Sequence, residues 1–174
     1  MYQKVIFFIR ANKKIIQFVF FFILFFFLGQ VLYHVSEPYT KQYIIPIGIN
    51  GVSSKIINFL TPNEQTAVNG EMIQSGSFSL RIAVGCDGFD ALLIVVAGIF
   101  AFSQMGLKKR VLGVLVGSCV IYLVNLVRIV ALYYTSKYRP IMFDMMHVYI
   151  GQTFIILMGC LFFLYWINKF AKTE

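Results

Sequence analysis

Long apolar runs alternate with short polar stretches along this chain, and the runs are too long and unbroken for the one-faced pattern of a soluble helix. Ile15 to Tyr33 carries no charge and is dominated by Phe. At about 1.5 Å per residue it reaches across a hydrocarbon core of roughly 30 Å. Phe89 to Met105 is a second run, with Asp90 as its one charge. Val111 to Tyr134 is a third, interrupted only by Asn125 and Arg128, and Val148 to Ile167 is a fourth. The predicted architecture is an all-α integral membrane protein, a bundle of four transmembrane helices at 15–33, 89–105, 111–134 and 148–167. The whole chain, 1–174, forms a single membrane domain.

Between the first two runs lies the one long polar segment, 34–85, expected as an extracytoplasmic loop. Val52 to Leu60 mixes apolar residues with Ser, Lys and Asn, as a short interfacial helix would. From Glu71 to Val84 the pattern changes to period two. Phe78, Leu80, Ile82 and Val84 fall on one side, and Ser77, Ser79 and Arg81 on the other. With Ser75-Gly76 as the turn, this predicts a small β-hairpin leading into Cys86. Gly113 and Gly117 form a G-x-x-x-G pair, which lets helices approach closely in lipid, so packing is a sufficient reason for them.

Composition supports the membrane reading: 59% of the 174 residues are apolar and only 13% are charged. A soluble domain carries about a quarter charged residues. The net charge of +8 comes from short clusters at the ends of the runs. Lys4, Arg10, Lys13 and Lys14, then Lys108 to Arg110, then Lys169 and Lys172 share one side of a four-helix topology, and the positive-inside rule places that side in the cytoplasm. In 34–85, Lys41, Lys55 and Arg81 balance Glu37, Glu64 and Glu71, which suits the outside. Both termini are then cytoplasmic in a multi-pass protein of the cytoplasmic (inner) membrane. The first run is read as a retained anchor; as a cleaved leader its apolar core is long, and Gly29 to Tyr33 makes a poor cleavage site. Nucleic-acid binding is not expected, because the basic clusters lack a binding-face pattern. Three cysteines, at 86, 119 and 160, make no disulfide framework. No cofactor or metal is implied, and the bilayer lipids are the expected surroundings.

This topology gathers the unusual side chains. Cys86 opens the second helix on the outer side, where Asp87 suits the N-cap and Asp90 stands in the capping-box position. A helix N-terminus and a nearby cation favour a thiolate, while the two carboxylates oppose it. Arg128 lies roughly 26 Å along the third helix and so near the outer interface. Ionised residues inside membrane helices are costly and usually functional or paired, although one near an end can snorkel. Tyr122 and Asn125 precede Arg128 at helical spacing and are expected to face the bundle interior with it. His147 opens the fourth helix and His34 starts the loop; either is an outer-face partner for a thiol, and the rigid helix position favours His147. Cys119 and Cys160 fall deep in their helices and are expected as small buried hydrophobes. The residues alone leave open whether Cys86 is an idle interfacial thiol.

Cys86-Asp87-Gly88 at the start of one helix, Asn125-Leu126-Val127-Arg128-Ile129 late in the next, and His147 opening the following one together resemble the exosortase/archaeosortase family in a short, minimal-core form. The resemblance spans about Gly70 to Gly151, and departs from the family pattern in having Asp87 where Ser is frequent. It implies a membrane cysteine protease or transpeptidase, with Cys86 as nucleophile, Arg128 as stabiliser and His147 as acid/base. Asn125, Gly88, Asp87 and Tyr122 would support them. The implied substrates are exported proteins ending in a short motif, a transmembrane helix and a basic cluster. Two other readings stand beside it: a small membrane subunit or scaffold whose Asn125 and Arg128 pair with a partner helix, and a thiol-redox enzyme. The latter is disfavoured because no second Cys shares the outer layer.

Overall fold

The structure, a computed structural model, describes residues 12–83 and 85–170. Helix α1, Lys13–Tyr39, runs without a break into a wider π-type helix, Thr40–Asn50, and then into α2, Gly51–Leu60. The helical stretch Lys13–Leu60 is thus 48 residues long, and the polar loop expected to start at His34 begins only after Leu60. The polar residues there are compatible with helix because they satisfy one another along it. Lys41 pairs with Glu37 at 2.5 Å, one turn apart. The hydroxyls of Ser36 and Thr40 donate to the carbonyls of Tyr33 and Ser36. Pro46, which has no N–H to give, lies inside the π-type stretch, where the ordinary ladder is already interrupted.

After a short turn at Pro62–Glu64 come β1 (Ala67–Asn69), β2 (Met72–Ser75) and β3 (Phe78–Arg81), an antiparallel sheet in the order β1-β2-β3. The hairpin expected from the period-two pattern is β2–β3, with Ser75 opposite Phe78 and Ile73 opposite Leu80. Gly70 and Gly76, both at φ 57°, turn the two connections. Val84 lies outside the described residues.

Helix α3, Phe89–Ala101, has 13 residues. That is about 20 Å, short of the roughly 30 Å of a hydrocarbon core. The run expected to cross at 89–105 breaks at Phe102, where the chain turns extended. Helix α4, Leu107–Tyr138, has 32 residues. A turn at Pro140–Met142 and a second π-type stretch, Met145–Gly151, lead into α5, Gln152–Phe170. Among the described residues three helical stretches, Lys13–Leu60, Leu107–Tyr138 and Pro140–Phe170, are long and apolar enough to span a membrane. The expected fourth crossing falls on the short α3, which packs among α1, α4 and α5.

Two cores hold the fold by different physics. Ala91, Val95, Ile99, Ile121, Ile155 and Trp166 form one within the helices. Lipid tails are as apolar as these side chains, so close packing must supply the attraction. Cβ atoms at Gly113 and Gly117 would fall 2.4 Å from Trp166 Nε1 and 2.6 Å from Phe162 Cε1, which is why small residues stand there. Where α2, the first π-type stretch and the end of α4 meet the sheet, Ile45, Ile57, Ile73, Leu80, Ile82, Ile129 and Tyr133 form the second core. Burial from water contributes roughly 1.5–3 kcal/mol for each large side chain there. Glu64 ties that cap to α4, accepting hydrogen bonds from Tyr133, Lys137, Tyr138 and Ser75.

Charge divides between the two ends of the helices. Lys13, Lys14, Lys108, Lys109, Arg110 and Lys169 gather at one, where Trp166 donates to the Lys109 carbonyl and Lys109 lies over the Phe170 ring. Every Asp and Glu among the described residues lies toward the other. Lys4, Arg10 and Lys172 lie outside the described residues.

Candidate active site

Cys86 lies in the loop that joins β3 to α3, its N–H bonded to the Ala83 carbonyl at 3.0 Å. Its Sγ stands 2.8 Å from His147 Nε2. His147 belongs to the π-type stretch, and Phe143 stacks on its ring with centroids 5.4 Å apart. Arg128 comes from α4 and is 6% exposed. Its Nη2 donates to the His147 carbonyl at 3.4 Å, while Nε and Nη1 are buried without a hydrogen-bond partner. Gly151 makes this approach possible: a Cβ there would lie 2.9 Å from Arg128 Nε and 2.7 Å from the Met146 carbonyl.

The loop itself is fixed from both sides. Asn125, one turn before Arg128 and fully buried, donates from Nδ2 to the Asp87 carbonyl at 2.9 Å. It crosses so close to Gly88 that a Cβ there would lie 2.9 Å from Asn125 Cγ, and Gly88 has φ 82°, a conformation that L side chains rarely adopt. The cap differs from the expected one. Helix α3 starts at Phe89 with Gly88 as its cap residue, and Asp87 Oδ1 accepts from the Phe89 N–H at 3.2 Å. Asp90 does not close a capping box; it accepts from Gln30 of α1 at 2.7 Å. The Tyr33 hydroxyl donates to Asp87 Oδ2, and the Tyr33 ring lies flat on Phe89 with centroids 3.9 Å apart. Tyr33 and Gln30 therefore clamp α1 onto the thiol loop. Nothing in the sequence pairs two residues of an apolar anchor with carboxylates more than fifty positions away.

Other expected residues lie elsewhere. Tyr122 does not share the interior with Asn125 and Arg128: it is 38% exposed and donates to the Gly48 carbonyl of the first π-type stretch. Steps of three residues rotate about 60° backwards on a 3.6-residue helix, so Tyr122 and Arg128 stand about 120° apart. His34 is exposed and faces Glu37 at 3.5 Å, while His147 is the imidazole at the thiol. Cys119 and Cys160, expected as buried hydrophobes, are exposed on the helix surfaces, where the surrounding phase is lipid. The scaffold face is also corrected, because Asn125 and Arg128 turn inward and meet Asp87 and His147 of their own chain. Among the described residues no cluster of three or more His, Cys, Asp and Glu side chains is arranged for a metal.

A family model described as transmembrane exosortase matches residues 52–166. The chain belongs to the transmembrane exosortase family. No curated protein and no solved structure matches it. Members of this family are in general membrane proteases or transpeptidases that sort exported proteins carrying C-terminal signals. The matched span holds Cys86, Asn125, Arg128 and His147, whereas α1, with Tyr33 and Gln30, lies outside it.

The electrostatics of the thiol have opposing causes. Burial pushes the Cys86 pKa up; the Arg128 guanidinium pulls it down, and Asp87 adds a smaller upward push. The net direction is up, so at neutral pH Cys86 rests as a thiol. With the ring proton of His147 on Nδ1, the S–H donates and Nε2 accepts. A thiol in contact with an imidazole is the arrangement in which a base can activate a cysteine.

Proposed function

We propose that this chain is a membrane-embedded cysteine protease or transpeptidase that cuts the C-terminal sorting signal of exported proteins at the outer face of the cytoplasmic membrane. The observation that carries the reading is the 2.8 Å contact between Cys86 Sγ and His147 Nε2. In the proposed step the Cys86 proton passes to His147 Nε2 as sulfur bonds to the carbonyl carbon of the scissile peptide. Negative charge develops on the carbonyl oxygen, and Arg128 meets it with N–H groups that have no other partner. The tetrahedral adduct collapses as His147 returns the proton to the leaving nitrogen and the C–N bond breaks. A thioester remains on Cys86. Water or an amine then attacks the same carbon, the C–S bond breaks, and the thiol is reprotonated. Positioned proton transfer contributes roughly 10²–10⁴ in rate. An oxyanion donor contributes about 10²–10³.

Orientation follows from the division of charge. The basic end faces the cytoplasm by the positive-inside rule, which puts Cys86 at the extracytoplasmic level. A substrate tail of short motif, transmembrane helix and basic cluster would present its motif at that depth, its own basic cluster beside Lys108 to Arg110. Asn125 and Gly88 position the loop, and Asp87 anchors it to α1.

The test is processing of an exported protein bearing such a tail in cells carrying Cys86→Ala, Arg128→Gln or His147→Ala. Cys86→Ala should leave the tail uncut and the substrate held in the membrane; normal processing by it would sink the mechanism. Mass spectrometry of the mature C-terminus then separates the chemistries. A free carboxylate means hydrolysis, and an added mass identifies the acceptor.

A further inference from the structure

The sheet that precedes Cys86 has one covered edge and one open edge. Strand β1 packs against α2 and the first π-type stretch. Strand β3 is the other edge of the sheet, and it meets α4 through Phe78, which packs on Tyr133. The register shows which of its backbone groups are free. Ile82 N–H bonds to the carbonyl of Glu71, the residue directly opposite it. In an antiparallel pair, bonded and non-bonded residues alternate, so Phe78, Leu80 and Ile82 direct their N–H and C=O groups toward β2. Ser79 and Arg81 therefore direct theirs outward from the sheet. Both are exposed, and their backbone N–H groups make no hydrogen bond within the chain among the described residues.

This open edge leads straight to the thiol, since Ala83 accepts from the Cys86 N–H. It also runs in a useful direction. The turn before β3 sits by Lys137, through the bond from Lys137 to Ser75, and Phe78 packs on Tyr133. Cys86 sits at the level of Arg128 and His147. From Lys137 to Arg128 is about 13 Å along α4, the length of a four-residue strand. Strand β3 thus descends from the outer cap toward the membrane and the site.

We propose that the edge of β3 takes the extended segment of the exported substrate that precedes the cut bond as an added parallel strand. Backbone groups of Ser79 and Arg81 bind it and deliver its carbonyl to Cys86. This deepens the reading of Cys86 as nucleophile and rests on it. A substrate arriving from outside with its anchor helix in the bilayer descends toward the membrane in the same sense as β3, which makes the pairing parallel. Main-chain bonds hold it, so affinity depends little on its side chains. An open edge is also a liability for edge-to-edge association, and the exposed charge of Arg81, tied back to Glu71 at 2.8 Å, discourages that.

The test uses the full chain co-expressed with an exported reporter carrying a tail of motif, membrane helix and basic cluster. Proline at 79 or 81 removes an outward N–H and leaves the β2–β3 ladder whole. Ser79→Pro combined with Arg81→Pro should slow cleavage about ten-fold or more, from two lost hydrogen bonds. Ser79→Ala with Arg81→Ala, which keep both N–H groups, should lose far less than the proline pair, and an equal loss overturns the proposal. Alkylation of Cys86 by a small impermeant reagent, unchanged in the proline variant, shows that the site still stands. Normal cleavage by the proline variant overturns the proposal. Should proline disturb the loop, disulfide trapping decides instead, with Cys86, Cys119 and Cys160 replaced by Ala. A cysteine introduced by Ser79→Cys should trap alternate reporter positions ahead of the cut bond, and by Arg81→Cys the set should shift toward that bond. Trapping without period two, or a shift away from the cut bond, refutes the parallel strand. Failure of the nucleophile reading shows separately, as continued cleavage by Cys86→Ala.

Discussion

Gly88→Ala is a sensitive probe of how the thiol loop is held. Two costs add at this position. The backbone at φ 82° places an L side chain in a left-handed conformation, which costs about 1–2 kcal/mol. The new Cβ would also lie 2.9 Å from Asn125 Cγ and 3.1 Å from Asn125 Oδ1. Relieving such overpacking costs about 1–3 kcal/mol. The single variant should therefore lose about 2–5 kcal/mol of stability. Asn125→Ala alone forfeits the 2.9 Å bond to the Asp87 carbonyl. That is worth about 0.5–1.5 kcal/mol. In the double variant the contacts with Asn125 Cγ and Oδ1 go, while the contact with the Asn125 Cβ at 3.1 Å and the backbone cost stay. Its loss should fall short of the sum of the singles by about 1–2 kcal/mol, most of the packing part. Denaturant titration in detergent micelles measures the three unfolding free energies. Additivity within about 0.5 kcal/mol would show that Gly88 and Asn125 are not in contact, and the account of the loop would fail.

Alkylation of Cys86 should rise with pH through a midpoint above that of an ordinary thiol, because burial opposes the thiolate more than Arg128 favours it. Asp87→Asn removes a charge that raises the pKa and should speed labelling at fixed pH; Arg128→Gln removes the charge that lowers it and should slow labelling, and the opposite order would refute this electrostatic assignment. Glu64 gives the cap an acid-sensitive tie. Hydrogen bonds from Lys137 first, then Tyr133 and Tyr138, hold its carboxyl down to about 2 from an ordinary 4.5. A lowered folded pKa means the contribution is complete above pH 4.5 and is lost as pH falls toward 2. Its ceiling is about 3 kcal/mol, reduced by solvent screening. Circular dichroism of thermal unfolding should show that acid sensitivity in the wild type and a flatter dependence in Glu64→Gln; equal slopes would refute the assignment.

Much of the fold is legible because lipid imposes a simple rule. Unbroken apolar runs become helices: α4 contains the run at 111–134 and extends past it at both ends, while α5 starts at Gln152, inside the run at 148–167 whose first residues wind as a π-type helix, and ends at Phe170. The helix over Val52–Leu60 is legible and stands as α2, Gly51–Leu60, whereas the extension from His34 to Asn50 is not. Polar residues there read as loop, yet Glu37 with Lys41 and the hydroxyls of Ser36 and Thr40 satisfy themselves on a helix. The π-type winding of Thr40–Asn50 also removes the 3.6-residue period that would have betrayed it. Helix α3 was overestimated because Ser103 and Gln104 were read as part of an apolar run, when the chain leaves the helix at Phe102. At the site, the shared level of Cys86, Arg128 and His147 follows from counting along helices. The inward turn of Tyr122 failed because three-residue spacing drifts around the axis. The clamp by Tyr33 and Gln30 depends on how α1 packs on α3, which an uncharged Phe-rich helix does not announce.

The winding of Met145–Gly151 has a consequence for the place of His147. A π-type turn is an α-helix with one residue too many, and His147 sits inside it. Rewinding the same residues as an ordinary α-helix, with none removed, would give that residue its full 100° and swing everything before it around the axis. His147 would leave Cys86 without any change in its identity. The wide winding of this segment, and not only the imidazole, is therefore what keeps His147 at the thiol.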